Sequence, residues 1–335
     1  IGIVNDLSLA VEALRRVILM VENLEIAWVA YDGKQAVELA IKDRPDLILM
    51  DLIMPVMDGV QATAEIMKKS PCAILVVTAS VGGNSSKVFE AMGHGALDAV
   101  ATPVFDFSGN ATGAGELIAK INSLKRLIHG KSYFKPVIAK RAARTGFPLI
   151  AIGSSTGGPK ALGTILSLLP ENFNAALVII QHVDQRFAAE LATWLNKQTP
   201  LSVSIAVQGQ SPAASNVYLA GTNDHLIIDR YGRFAYVAEP KEYPYRPSVD
   251  TFFYSLLDNW GAKDAAVLLT GMGKDGADGL SRLKESGWMT IAQDEKSSIV
   301  FGMPKAAIEL NAAVKVLDPE RIAGELINLY AKKGI

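Results

Sequence analysis

The sequence predicts an α/β protein made of two doubly wound domains, each with a parallel sheet covered by helices on both faces. Short, continuous apolar runs alternate with segments of helical periodicity along most of the chain, a pattern typical of buried parallel strands joined by helices. The chain has 335 residues, which is too long for one ordinary hydrophobic core. Hydrophobic residues make up 50% of it and charged residues 20%, as in ordinary soluble α/β proteins.

The first half contains five apolar runs that predict strands, at residues 1–4, 26–30, 47–50, 73–77 and 97–101. The intervening segments have helical periodicity. In the first of them Val11, Leu14, Ile18 and Val21 fall on one helical face. This alternation predicts five parallel strands.

Polar side chains follow three of these strands. Asn5 and Asp6 come after the first strand, Asp51 after the third and Thr78 after the fourth. In open parallel sheets ligands bind beyond the carboxyl ends of the strands, so these groups are expected to converge on one edge. Two neighbouring carboxylates repel each other, and Mg²⁺ is the usual cation that neutralises them. The alternative is that Asp6 only caps the next helix and Asp51 only starts a turn.

The segment 50–59, Met-Asp-Leu-Ile-Met-Pro-Val-Met-Asp-Gly, together with the polar strand ends, resembles the receiver domain of two-component response regulators. The similarity covers residues 1–127. It implies a CheY-like fold with a five-stranded parallel doubly wound sheet and Asp51 as phospho-acceptor, with a histidine kinase as phosphodonor. It also implies that Asp6, Asp51 and the backbone carbonyl of Ile53 hold Mg²⁺, and that Thr78 is the switch hydroxyl.

Two positions depart from the receiver pattern. Asn5 stands where the family usually has the first acid of an acidic pair, and Thr102 stands before Pro103 where the family usually has lysine. The first change removes a negative charge from the metal site. The second removes an ammonium group that would pair with the acyl phosphate, and a hydroxyl cannot replace it.

The region between the two halves is expected to be a loop at 108–115, the last receiver helix at 116–128, and a linker at 128–147. Basic residues are scattered through the linker without periodicity, which favours a solvated tether over a nucleic-acid site. The net charge of −1 gives no argument for binding nucleic acid. No apolar run approaches the roughly 20 residues that span a bilayer, so no membrane insertion is expected. We expect a cytoplasmic location.

The second half, residues 148–335, repeats the alternation of strand and helix. Strands are predicted at 149–152, 176–180, 217–220, 265–269 and 289–292, with a hairpin of 225–228 and 234–237, and helices at 160–169, 186–197, 280–286 and 319–332. The hairpin is predicted by the turn sequence Asp-Arg-Tyr-Gly at 229–232.

Three residues in this half could form a nucleophilic site. Ser155 lies in Gly-Ser-Ser-Thr-Gly-Gly-Pro, a strand-to-helix turn that also fits the nucleophile elbow of serine hydrolases, although a phosphate-binding or merely flexible turn would look similar. A nucleophilic serine needs a base and an acid that orients the base. His182 and Asp275 each follow a predicted strand on the same edge, whereas His225 opens the hairpin, where a surface or packing role is expected.

The chain order serine, histidine, aspartate excludes the α/β-hydrolase order of serine, acid, histidine. Instead the segments around Ser155, His182 and Asp275, with Arg-Pro-Ser-Val-Asp at 246–250, resemble the catalytic domain of CheB-type protein-glutamate methylesterases. The resemblance implies a doubly wound α/β domain that hydrolyses glutamyl methyl esters on chemoreceptors, is regulated by phosphorylation and also deamidates receptor glutamines. It adds Thr156 and Met272 as oxyanion-stabilising or supporting residues. Asn5 and Thr102 suggest the Wsp surface-sensing branch.

Two rival functions stay open at this point. One is a receiver scaffold without catalytic activity, which would have no need of the serine, histidine and aspartate. The other is a serine esterase that acts on small molecules.

Overall fold

The computed structural model describes residues 1–79, 85–105, 111–129, 147–241, 243 and 245–330. Contacts divide the chain into two compact units, Ile1–Gly130 and Lys131–Ile335, and each is described by itself. Most of the linker predicted at 128–147 lies outside the described residues. In the part of the chain that is described, none of the helices is both long and apolar enough to cross a bilayer.

The first unit contains a five-stranded parallel sheet with the strand order β2-β1-β3-β4-β5, which confirms the predicted receiver fold. Its strands are β1 (Gly2–Val4), β2 (Trp28–Ala30), β3 (Leu47–Met50), β4 (Ala73–Thr78) and β5 (Asp98–Ala101), and its helices are α1 (Ser8–Leu19), α2 (Gly33–Lys42), α3 (Gly59–Lys69), α4 (Ser85–Gly93) and α5 (Ala114–His129). Strands β3 and β4 are buried along their whole length because helices cover both faces, which is why they are continuous apolar runs.

A two-stranded antiparallel ribbon follows β5. It consists of β6 (Val104–Phe105) and β7 (Ala111–Thr112), and Val104 pairs with Thr112. The prediction of a loop at 108–115 is therefore wrong at 111–112. Residues 106–110 lie outside the described part. A two-residue strand is too short to leave any periodicity in the sequence.

The second unit contains a seven-stranded parallel sheet with the order β10-β11-β9-β8-β14-β15-β16 and a separate antiparallel hairpin, β12-β13, both of which fit the predicted class. The strands are β8 (Leu149–Ser154), β9 (Ala176–Gln181), β10 (Ser202–Ile205), β11 (Asn216–Leu219), β12 (His225–Ile228), β13 (Phe234–Val237), β14 (Ala265–Leu268), β15 (Met289–Gln293) and β16 (Lys315–Leu317). The helices are α6 (Gly158–Leu168), α7 (Gln185–Asn196), α8 (Val249–Asn259), α9 (Ala277–Glu285), α10 (Met303–Glu309) and α11 (Pro319–Tyr330).

The hairpin and helix α8 share one hydrophobic core with the sheet. Leu226 and Phe234 of the hairpin are fully buried in the same cluster as Phe252 of α8 and Leu268 of β14. This packing holds the first turn of α8 beside the carboxyl edge of the sheet, where the candidate catalytic residues lie.

Candidate active site

Ser155 lies on the tight turn between β8 and α6. Its backbone N–H donates to the Thr270 carbonyl at 3.0 Å, and its own carbonyl accepts from the Gly158 N–H at 2.8 Å. Gly157 has a φ of +80°, a conformation that residues with a Cβ rarely adopt, so the turn depends on glycine there. Ser155 is only 5% exposed. The turn thus fixes the serine at the carboxyl edge of the sheet.

The other two candidates follow the strands on either side of β8. His182 comes directly after β9, and Asp275 lies beyond β14, so the strand that leads to the serine is the middle one of three neighbours. His182 Nε2 lies 2.8 Å from Asp275 Oδ2, and both side chains are less than 10% exposed. The convergence expected from the strand ends therefore brings the histidine and the aspartate into direct contact.

Asp275 accepts further hydrogen bonds from the start of α8. The Ser248 hydroxyl donates to Oδ1 at 2.8 Å, the Val249 N–H to Oδ2 at 2.7 Å and the Asp250 N–H to Oδ1 at 3.1 Å. Burial opposes ionisation, but the contacts with His182 and with these two backbone N–H groups outweigh it and hold the pKa of Asp275 below its usual value. The N-terminal end of α8 also favours a negative charge at this point. Asp275 is consequently a buried carboxylate.

The contact with Asp275 fixes the state of the imidazole. A carboxylate only accepts hydrogen bonds, so His182 Nε2 carries a proton, and in the neutral ring Nδ1 has the lone pair. Among the described residues no hydrogen-bond partner contacts Nδ1, although the atom is buried. The described contacts also include no hydrogen bond between His182 and the Ser155 hydroxyl. The structure therefore joins two of the three candidates and leaves one ring nitrogen available as a base.

Gln181 connects the serine turn to the histidine. Its amide nitrogen donates to the Ser155 carbonyl at 2.9 Å and to the His182 carbonyl at 3.1 Å. Its amide oxygen accepts from the Ser154 hydroxyl at 2.6 Å. This buried side chain fixes the spacing of the two strand ends. A polar residue at the end of an apolar strand was visible in the sequence, but its contacts were not.

Thr156 and Met272 lie on two segments that meet at the serine. The Thr270 hydroxyl donates to the Thr156 carbonyl at 2.8 Å, and the Thr156 hydroxyl is buried without a partner among the described residues. A Cβ added to Gly271 would come within 2.7 Å of the Ser155 Cβ, so only glycine lets the loop before Met272 approach so closely. This placement brings both residues that were predicted to support the oxyanion next to the turn of Ser155.

Three other aspartates of this unit, Asp250, Asp278 and Asp294, have other partners. Asp278 contacts the Tyr254 hydroxyl and Arg282, and Asp294 accepts from Ser297. The N-cap of α8 is Ser248, whose side chain accepts from the Thr251 N–H.

Asp250 links α8 to α9. Its Oδ1 accepts from the Gly279 N–H at 2.7 Å. Burial, together with the nearby charge of Asp275, raises its pKa well above the usual value.

His225 has the packing role that was expected of it. It is fully buried, its Nδ1 accepts from the Ser248 N–H at 3.1 Å, and its Nε2 lies 3.1 Å from the Pro240 carbonyl. Burial lowers the pKa of His225, which favours the neutral ring that these two contacts require. Sequence reasoning missed Ser248 and its link to His225. The segment Arg-Pro-Ser-Val-Asp was a recognisable motif, but it gave no indication of which partner each residue contacts.

The edge of the first sheet carries the second cluster of predicted residues. Strand β1 leads to Asp6, β3 to Asp51, and β4 ends at the buried Thr78. Asp51 Oδ1 accepts from the Leu52 N–H at 2.8 Å. Burial raises the pKa of Asp51 to about 6, and the negative charge of Asp6 adds to this rise. The two carboxylates are therefore close enough to repel each other.

The two departures from the receiver pattern lie at the same edge. Asn5 is buried and its side-chain oxygen accepts from the Leu7 N–H at 2.9 Å. Thr102 follows β5, and its N–H donates to the Thr78 carbonyl at 3.0 Å. The side-chain oxygen of Asn5 therefore already accepts a hydrogen bond from the backbone.

Comparison with known proteins finds a matching family for each of the two units. The CheB methylesterase family matches residues 150–326, and the response regulator receiver domain matches residues 1–106. A Burkholderia pseudomallei protein named protein-glutamate methylesterase/protein-glutamine glutaminase 2 is 54% identical over 99% of this chain and 98% of its own length. A Cupriavidus metallidurans protein of the same name is 52% identical over 98% of this chain and 97% of its own. The crystal structure of the Thermotoga maritima CheB methylesterase catalytic domain is 36% identical, with a TM-score of 0.51, and covers 55% of this chain and all of that one.

Proposed function

The chain belongs to the CheB methylesterase family, in the form that carries an N-terminal receiver domain, and from this premise we propose that Ser155, His182 and Asp275 perform the hydrolysis. A member of this family is a carboxylic ester hydrolase. The observation that supports the assignment is the buried contact between His182 and Asp275, beside a serine on the strand between theirs. The substrate is the γ-methyl ester of a glutamyl residue on a chemoreceptor, and the products are glutamate and methanol.

In this proposal each side chain performs a defined step. His182 Nδ1 takes the proton as the Ser155 hydroxyl attacks the ester carbonyl, which gives a tetrahedral intermediate on the serine oxygen. Asp275 keeps the other ring nitrogen protonated and stabilises the imidazolium that forms. The imidazolium then returns its proton to the departing methoxide, and methanol leaves. Water attacks the acyl-enzyme with the same base, which frees the glutamate carboxylate and restores the serine.

The hydrogen bond between serine and histidine has to form when substrate binds. Catalytic hydrogen bonds are often long or misaligned in structures without substrate and tighten in the reacting complex. The negative charge on the tetrahedral oxygen needs backbone donors, and the segments of Thr156 and Met272 are the ones next to Ser155. Each such donor contributes about 3–4 kcal/mol in other hydrolases.

The same site can deamidate glutamine. The relatives named above are called protein-glutamine glutaminases as well as methylesterases. Attack of Ser155 on a side-chain amide gives the same acyl-enzyme, with ammonia leaving in place of methanol, because His182 can protonate either leaving group. We therefore expect both activities from one set of residues.

The receiver domain supplies the regulation. Asp51 is the acceptor for a phosphoryl group from a histidine kinase, and Thr78 is the switch hydroxyl. Asp6, Asp51 and the Ile53 carbonyl would hold Mg²⁺. Burial raises the pKa of Asp51 and the charge of Asp6 adds to the rise, and this unbalanced negative charge fits a cation in that place. Mg²⁺ supplies charge neutralisation there, and it has no part in the hydrolysis. A cytoplasmic location and the absence of nucleic-acid binding stay predictions.

The test is methanol release from membranes that contain methylated receptor, with and without a small phosphodonor. Ser155→Ala should lower kcat by on the order of a millionfold, because losing the nucleophile removes the covalent pathway. Ser154→Ala, at the last residue of β8 next to Ser155, is the matched control. It removes only the contact with Gln181 and should keep activity within about tenfold. Substantial turnover by Ser155→Ala would refute the assignment.

A further inference from the structure

Tyr245 lies against the proposed base and has no role in the mechanism above. Its ring stacks on the imidazole of His182, with ring centroids 4.0 Å apart and an angle of 13° between the planes. Its hydroxyl donates to the Met272 carbonyl at 2.9 Å. We propose that Tyr245 is a positioning residue for hydrolysis, which sets the rotation of the His182 ring and couples it to the loop of Met272. This inference rests on the proposed roles of those two residues.

The stacking supplies an orientation that the hydrogen bond to Asp275 does not. A single contact at Nε2 holds that atom in place, but the ring can still turn about the line from Nε2 to the carboxylate oxygen. A parallel ring against one face of the imidazole blocks this rotation. His182 Nδ1, which has no partner among the described residues, is thereby kept in one direction. A misplacement of about 1 Å in such a group can lower a rate about a hundredfold.

The ring also favours the charged form of the histidine. The imidazole becomes a cation when it takes the serine proton, and a cation within about 6 Å of an aromatic face is stabilised by it. Burial and the charge of Asp275 raise the pKa of Tyr245, so its hydroxyl stays protonated and can donate to Met272. One side chain thus contacts both the base and the loop expected to stabilise the oxyanion.

The segment that carries Tyr245 is anchored directly after the tyrosine. Arg246 donates to Asp224 at 2.8 Å, and Ser248 donates to Asp275. These two contacts hold the segment independently of His182, as a positioning residue requires. Tyr243 packs its ring edge-on against His225 instead, with 5.8 Å between the centroids.

Two variants separate the two contacts. Tyr245→Phe keeps the aromatic face and removes the hydrogen bond to Met272. Tyr245→Leu removes the face as well, while an apolar side chain still shields the imidazole from water. Tyr243→Leu is the matched control, because it removes an aromatic ring from the same segment without touching His182. Kinetics on methylated receptor membranes are measured as a function of pH, with the wild-type protein and Ser155→Ala in parallel.

We expect Tyr245→Phe to lower kcat roughly 3- to 10-fold, with the acid limb of the pH profile unchanged. Tyr245→Leu should lower kcat on the order of a hundredfold at similar KM, and shift the acid limb down by roughly half a pH unit because the cation loses its aromatic neighbour. The Tyr243→Leu control should leave the limb in place. A Tyr245→Leu protein with wild-type kcat and limb, or no worse than Tyr243→Leu, would overturn the proposal.

Two further measurements keep the result decisive. If Tyr245→Leu does not fold, as judged by circular dichroism, Tyr245→Phe decides alone, and wild-type kcat in that variant overturns the proposal. NMR titration of His182 does not depend on turnover. Its signal can be assigned because the chain has only four histidines. If the wild-type protein releases no methanol, the proposed function fails, whereas an unchanged His182 titration in Tyr245→Leu refutes the role of Tyr245 only.

Discussion

Asp51 and Asp275 lie at the carboxyl edges of two parallel sheets but differ in their ionisation. Asp51 directly follows β3, Asp275 lies seven residues beyond the end of β14, and burial pushes the pKa of each upward. The contacts of Asp275 with His182 and with the backbone N–H groups of Val249 and Asp250 reverse the effect, and its pKa is lowered. For Asp51 the backbone hydrogen bonds from Leu52 and Ile53 do not outweigh burial, to which the charge of Asp6 adds, and its pKa rises to about 6.

The difference shows what each site requires from its surroundings. The carboxylate of the hydrolase has its charge balanced by fixed donors within the fold, so it can orient His182 without any added ion. The receiver carboxylate has a charge that its neighbours do not balance, and it is therefore suited to bind a cation and accept a phosphoryl group. The hydrogen-bond donors around each aspartate, rather than its burial, distinguish the two proposed roles.

Removing the charge of Asp275 should have the largest effect in this comparison. Asp275→Asn loses the carboxylate that keeps His182 Nε2 protonated, so the ring can adopt the wrong tautomer for attack. We expect kcat to fall by about ten-thousandfold at neutral pH, measured as methanol release.

The control for this change is Asp278→Asn in the same region. Asp278 contacts Tyr254 and Arg282 instead of His182, so its loss should change kcat by less than about tenfold. Equal losses in the two variants would mean that Asp275 acts on the fold and has no special role in orienting the base.

Much of this arrangement could be predicted from the sequence, because a parallel sheet brings the ends of its strands to one edge. Ser155, His182 and Asp275 follow three apolar runs, and the runs themselves were visible. The edge strands β10 and β16 were not predicted, since β10 is largely exposed and β16 has only three residues, so neither forms an apolar run. Helix α10 was also missed, as seven residues leave little periodicity.

The contacts between side chains were the part that could not be predicted. Ser248 lies 27 positions before the aspartate it contacts, and nothing in its local sequence indicates that partner. Which ring nitrogen of His182 faces Asp275 depends on the relative positions of two loops. Such pairings follow from tertiary packing, to which strand periodicity is insensitive.

Removing one donor from Asp275 should make it more like Asp51. Ser248→Ala loses the hydroxyl bonded to Asp275 Oδ1 and also the cap of α8, so the free energy of unfolding should fall by roughly 2–3 kcal/mol at pH 7. Because the folded pKa of Asp275 is lowered, its carboxylate stabilises the fold above its unfolded pKa of about 4 and loses this effect as pH falls through the folded value.

The part of the loss that comes from Asp275 should therefore shrink below about pH 4, while the part that comes from the cap should persist. Urea unfolding of the fragment from Pro148 onward, between pH 3 and pH 7, measures both. In an Asp275→Asn background the pH-dependent part should disappear. A loss that is the same at every pH would show that the hydroxyl acts only as a helix cap.

The last predictions concern Mg²⁺ binding at the receiver site, where we expect the smallest effects. Asp275 needs no such cation. Mg²⁺ affinity should weaken as pH falls through about 6, because Asp51 is mostly ionised at pH 7 and mostly protonated at pH 5.

Asp6→Asn removes a carboxylate from the site and should weaken binding more than about tenfold at pH 7, although it also lowers the pKa of Asp51. Asn5→Asp is the opposite change and should strengthen binding a few-fold, since an aspartate there can still accept from the Leu7 N–H. Calorimetric titration with Mg²⁺ compares the three proteins, and an Asp6→Asn protein that binds like the wild type would mean that the two carboxylates do not share the cation.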